Sequence, residues 1–203
     1  MRGIWIALAG AAIMAAMPAT AQTATKSVQL SKVVMNTEGG IKGKIKGGTL
    51  CVFPSKWKIS GETKTQDYER YDRLFSEKLQ KLGFAALTTS ANMFATADDA
   101  GKGDYLIGAT IRPETINLCD SVSGQKGNAT LNVEWQLYNR VEKKVVATVT
   151  TTGYGTVEKF AAKGLEGMLD AAFSASLDAL VSQGVLQQYL GTPVPVAGEA
   201  APS

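Results

Sequence analysis

Residues 128–138 alternate without a break, with Ala129, Leu131, Val133, Trp135 and Leu137 on one side and Thr130, Asn132, Glu134, Gln136 and Tyr138 on the other. Successive side chains of a strand point to opposite faces, so this stretch predicts a β-strand with one buried face and one wet face. A lone strand cannot bury its apolar side, which forces the chain to supply both neighbouring strands and a cover. Residues 139–144 are polar and of hairpin-loop length, and residues 145–154 are rich in valine and threonine. They are predicted to return antiparallel beside the first strand.

The cover is legible as two helical stripes. Tyr68, Tyr71, Leu74, Phe75, Leu79 and Leu82 recur at spacings of three and four, as do Leu165, Met168, Leu169, Ala172, Phe173, Ser176, Leu177, Leu180 and Val181 before Gly184. Both patterns have the period of a helix with one buried face. Asp67 and Glu69 suit the positive end of the first helix, and Lys81 and Gly83 its finish. Glu69 with Arg73 and Glu77 with Lys81 fall at i,i+4, the spacing of ion pairs on a wet helix face. Residues 49–53, carrying Cys51 and closed by Pro54, read as a short buried strand, and residues 84–89 as another. Residues 105–111 and 115–119 read as a strand interrupted at Pro113, which predicts an edge position or a bulge. The expected fold is α+β, a mostly antiparallel sheet with two main helices packed on one face.

The ends of the chain are of a different kind. Arg2 precedes an apolar run over residues 4–17, and Pro18-Ala19-Thr20-Ala21 closes it with an A-x-A site. This is the pattern of a secretory signal peptide over residues 1–21, shorter than the roughly 20 apolar residues that a spanning helix needs. With no cysteine at the cleavage site, a soluble periplasmic product is expected, and secretion beyond an outer membrane is compatible with the same signal. Residues 22–48 are expected to be a flexible segment ending in a Gly/Lys-rich loop, residues 49–190 the α+β domain, and residues 191–203 a disordered Pro/Ala-rich tail.

Composition narrows the chemistry. The net charge of +3 falls to +2 once Arg2 is removed (3 minus 1), too weak and too dispersed for a nucleic-acid footprint. No histidine is present, which removes Ser-His-Asp and Cys-His triads together with the commonest metal ligand. Ser55 with Lys58 and Ser123 with Lys126 satisfy a bare S-x-x-K spacing but lack the further S-D-N and K-T-G elements of that chemistry. Asp98 and Asp99 read as a hydrated turn. Gly39 to Gly48 tempts a phosphate-loop reading that fails on spacing and on Ile45 where Ser or Thr is required. What remains there is contact with an anionic surface through Lys42, Lys44 and Lys46. Neither a catalytic residue, a cofactor nor a metal is nominated. The two cysteines, Cys51 and Cys119, are expected to form a disulfide in an oxidising compartment.

The order strand, helix, strand, strand, paired strands, helix resembles small α+β modules of bacterial envelope proteins, among them the N-terminal domain of TolB and the periplasmic domain of curli-secretion proteins. A closer resemblance lies in Gly103-Asp104-Tyr105-Leu106-Ile107-Gly108, Asn117-Leu118-Cys119, Val133-Glu134-Trp135-Gln136-Leu137-Tyr138, Val145-Val146 and Thr150-Thr151-Thr152-Gly153-Tyr154. That run, within residues 51–190, is similar to a domain found ahead of trypsin-like peptidases in some bacterial secreted proteins. Its motifs carry fold residues and no catalytic ones, so the resemblance implies action by protein contact.

The function expected is therefore that of a non-enzymatic periplasmic accessory protein in envelope assembly or secretion, with another envelope protein as partner. A partner strand added before Pro113 is one mode of contact. The alternatives are a small hydrolase using a carboxylate or Ser/Lys site and a periplasmic small-ligand carrier.

Overall fold

The alternating stretch forms the middle of a long antiparallel meander. In a computed structural model, which describes residues 26–37, 40–54, 65–88 and 103–193, β5 (Tyr105–Ser121), β6 (Gly124–Asn139) and β7 (Lys144–Ala161) pair in succession. Ala129, Leu131, Val133, Trp135 and Leu137 of β6 are all buried. The β6–β7 loop is set by Asn139, whose Oδ1 accepts hydrogen bonds from the Val141 and Glu142 amides at 2.9 and 3.1 Å. Such an Asx turn lets a side chain stand in for a backbone acceptor.

Both long helices lie on one face of this meander, giving the α+β architecture. α1 (Thr65–Lys81) buries Tyr71, Phe75 and Leu79, and α2 (Gly164–Ser182) buries Met168, Ala172, Phe173, Leu177 and Leu180. Trp135 joins the layers, with its ring centroid 5.4 Å from that of Phe173 and 6.5 Å from that of Phe75, while Phe173 packs against Tyr71 in a tilted pair with centroids 4.7 Å apart. The indole N–H, which needs a partner when buried, donates to Thr151 Oγ1 at 2.8 Å. Gly153 and Gly155 of β7 let α2 approach closely, since a Cβ at either would overlap the carbonyl oxygen of Ala172 or Met168. Two basic side chains of α1 form ion pairs across to α2. Arg70 reaches Asp170 at 3.0 Å and Lys78 reaches Asp178 at 2.8 Å.

The sheet is mixed rather than mostly antiparallel in its outer part. β1 (Val28–Met35) lies parallel to β5 over Tyr105 to Ile111, and β4 (Ala86–Leu87) lies parallel to β1 beyond it. Within residues 22–48, expected to be flexible, residues 28–35 instead form a strand paired on both edges, and Val28 and Leu30 are fully buried in the core beneath α1. The alternation of Val28 and Leu30 is brief because the register shifts between Leu30 and Lys32, which breaks the period. Further along the same edge of β5, β2 (Ile45–Gly47) pairs parallel with Leu118 to Asp120, and β3 (Phe53–Pro54) pairs with β2. Residues 49–53 are thus not a buried strand. Residues 48–51 turn between β2 and β3, with Cys51 at φ 57° and Leu50 and Phe53 exposed. α3 (Val185–Leu190) follows Gly184 and closes the fold through Lys26 N–H, which donates to Leu190 O at 3.0 Å.

Pro113 marks a bulge, as its interruption of the strand predicts, and not an edge. The β5–β6 register shifts between Pro113 and Thr115. The Ile111 carbonyl accepts from the Asn36 amide on the β1 side, so the nitrogen of Pro113, two residues on, points the same way. It falls where β1 has ended and the chain at Lys42 has not yet joined, a gap in which a missing N–H leaves no bond unmade. The strand before Pro113 is paired on both sides, which removes it as a site for strand addition. The signal segment, Ser55 with Lys58, Asp98, Asp99 and residues 194–203 of the tail lie outside the described residues.

Candidate functional site

With both helices on one face, no element among the described residues covers the outer face of β5–β6–β7. Its residues are polar and largely uncharged: Thr110, Thr130, Asn132, Gln136, Thr148, Thr150, Thr152 and Thr156, with Tyr154 exposed among them. Charges here are paired locally, Arg112 with Glu134 at 3.6 Å, and Asn132 donates to Glu114 at 3.3 Å.

At the end where β2 joins, the face becomes basic. Cross-strand register places Lys46, Cys119 and Lys126 in one row, and the row before it holds Lys44, Asn117, Asn128 and Thr156. Asn117 Nδ2 donates to Asn128 Oδ1 at 3.0 Å, and Asn117 Oδ1 accepts from the Lys44 amide at 3.2 Å, which fixes this amide pair beneath the lysines. The residues line an open depression of about 390 Å³ in which Glu158 is the sole carboxylate against Lys44, Lys46 and Lys126. Lys126 lies over the Phe160 ring, its Nζ 4.4 Å from the centroid, a favourable cation–π placement.

Of the three lysines expected to meet an anionic surface, Lys44 and Lys46 therefore converge, whereas Lys42 lines a separate depression of about 330 Å³ with Ile41, Ile45 and Ile116. Lys126 is the member that spacing could not reveal. It is brought in only by the β5–β6 register, and no local signal marks it.

Cys51 and Cys119 form the expected disulfide, tying the β2–β3 turn to β5 across 68 residues of sequence. Ser123 sits in the β5–β6 turn, where its amide donates to Ser121 Oγ at 3.2 Å, and Lys126 lies over the Phe160 ring. Among the described residues no group of three His, Cys, Asp or Glu side chains could hold a metal, and no helix is long and apolar enough to cross a membrane.

At the opposite end of β5, Asp104 staples two strands. Its carboxylate accepts from the Ser27 amide at 2.8 Å and from the Ser27 hydroxyl at 2.9 Å. Those donors, the amide foremost, with Lys26 nearby, hold its pKa below the ordinary carboxylate value against a small opposing effect of burial.

No protein-family model matches the chain, and no curated protein matches it. Solved structures do. A PelC dodecamer from Paraburkholderia phytofirmans aligns at 15% identity and a TM-score of 0.34, over 73% of this chain and 86% of that one. A Xanthomonas campestris protein described as DUF330 aligns at 12% identity and a TM-score of 0.38, over 81% and 94%. The lipoprotein GNA1162 of Neisseria meningitidis aligns at 10% identity and a TM-score of 0.29, over 75% and 96%.

Proposed function

We infer that the chain is a non-enzymatic accessory protein of the cell envelope that acts in the periplasm by taking an extended segment of another envelope protein onto the edge of β7. The observation that carries this reading is the edge itself. Among the described residues β7 has one neighbouring strand, β6, along a run of 18 residues. Proteins ordinarily blunt so long an edge with proline or inward-pointing charge. Residues 145–157 contain neither proline nor a charged residue. The Val146 carbonyl accepts from Tyr189 Oη at 2.8 Å and so faces away from β6. By alternation the main-chain groups of Thr148, Thr150, Thr152 and Tyr154 face the same open side, a ladder ready for a partner strand.

The compartment is supported by the Cys51–Cys119 bridge, since such bonds persist where the medium is oxidising, and by the leader pattern of residues 1–21. The motif resemblance to the domain ahead of trypsin-like peptidases accords with action by contact.

Thr150→Pro tests the reading. It removes an outward N–H without touching the ladder to β6, so the fold should survive. Cross-linking capture from envelope extracts should recover the same partner repeatedly with the wild-type chain and lose it with Thr150→Pro. Equal capture by both, or no recurrent partner, would refute strand addition at β7.

A further inference from the structure

The basic end of the open face adjoins an apolar tip that the strand-addition reading does not use. The β2–β3 turn and the β5–β6 turn lie side by side, joined by Gly48 N–H, which donates to Asp120 O at 2.9 Å, and by the Cys51–Cys119 bridge. Together they present Leu50 at 82%, Val52 at 60%, Phe53 at 67% and Val122 at 104% exposure. Isolated exposed apolar residues are ordinary on a protein surface, but a cluster of large ones at one end of a sheet is a feature of interaction sites. Immediately behind the tip stand Lys44, Lys46 and Lys126, with one carboxylate, Glu158, among them.

We propose that this end of the molecule docks on an anionic phospholipid surface, with Leu50, Val52, Phe53 and Val122 entering the headgroup boundary and the three lysines meeting lipid phosphates. The order of the two sets along the molecule carries the argument. Apolar side chains stand at the turns, and the cations lie a few residues behind them, Lys46 and Lys126 level with Cys119 and Lys44 level with Asn117, as an interface requires when its outer layer is anionic and its interior apolar. A soluble anion would be met by the lysines alone and gives no role to the tip. The disulfide holds the β2–β3 turn against β5, so the apolar and basic sets keep a fixed relation. Docking through this end leaves the edge of β7 free and does not depend on strand addition there.

The test is co-sedimentation of the exported, disulfide-intact chain with vesicles of pure phosphatidylcholine and of phosphatidylcholine with phosphatidylglycerol. Binding is expected to the anionic vesicles and to weaken as salt rises. The triple variant Lys44→Gln, Lys46→Gln, Lys126→Gln should lower partitioning about a hundredfold, at roughly fivefold per lysine near the surface. Leu50→Ser with Phe53→Ser should lower it about tenfold without changing the far-ultraviolet circular dichroism, because both side chains are already in water. Lys144→Glu, at the other end of the sheet, should leave it unchanged. Equal binding to both vesicle types, or losses from the lysine variant but none from the apolar one, would overturn the proposal, the latter pointing to a soluble polyanion as the ligand.

Discussion

The two ends of β5 are held by different means. Before Pro113 the strand is flanked by β1, whose Val28 and Leu30 are fully buried, with α1 packed above and Tyr68 Oη donating to the Leu30 carbonyl at 2.7 Å. Beyond Pro113 it is flanked by three residues of β2, of which Ile45 is only partly buried and Lys46 is exposed, and the turn that follows is fixed by a covalent bond. Burial secures the first neighbour, at about 1.5–3 kcal/mol for each large side chain removed from water. The second has too little apolar surface for that, and the disulfide takes over. One strand thus carries a neighbour integral to the core and a neighbour tethered to it, with a residue that lacks an amide proton between them.

The strongest way to break the contrast is to attack the buried neighbour. Leu30→Ala should cost about 2–5 kcal/mol and lower the urea midpoint of the whole fold, since the cavity opens between β1 and the helices. A loss confined to β1, with the rest of the sheet unaffected in hydrogen exchange, would show that β1 is not part of the cooperative unit. Next in size, the pair Cys51→Ser, Cys119→Ser should cost about 2–4 kcal/mol. Its native-state exchange should quicken at Ile45 to Gly47 and at Leu118 to Asp120, and far less at Val28 to Leu30. Uniform quickening would make the two ends equivalent. The smallest effect belongs to Asp104. Its pKa is depressed on folding, so its contribution is present above the ordinary carboxylate pKa of about 3.9 and fades as pH falls through the lower folded value. Asp104→Asn should cost under about 1 kcal/mol at neutral pH, because the group is largely solvated, and the difference from wild type should vanish in acid. A deficit that persists at pH 2 would assign the effect to packing rather than charge.

The same division governs what could be read from sequence. β6 and the two long helices announce themselves through period, because each has one wet face, β7 through its valine and threonine content after a loop of hairpin length, and the pairing of Trp135 with Thr151 needs only the hairpin between them. β1 shows only a brief alternation before its register shift, and the turn carrying Cys51 reads as a strand because Leu50, Val52 and Phe53 are apolar, although all three are exposed. The basic depression was half legible. Lys44, just before β2, and Lys46, within it, are spaced by two, but Lys126 arrives from the neighbouring hairpin, and Lys42 parts from them although it shares their spacing. Register, which sequence spacing does not encode, makes that selection.

The β6–β7 ladder has a mechanical corollary. If a partner strand is bound along β7, a pull directed along the strands loads the hydrogen bonds of the whole ladder at once, whereas a pull across them would unzip the bonds one pair at a time. Among the described residues β7 is both an edge strand and the longest strand of the sheet, which suits it to bearing tension in the first direction and to letting go in the second.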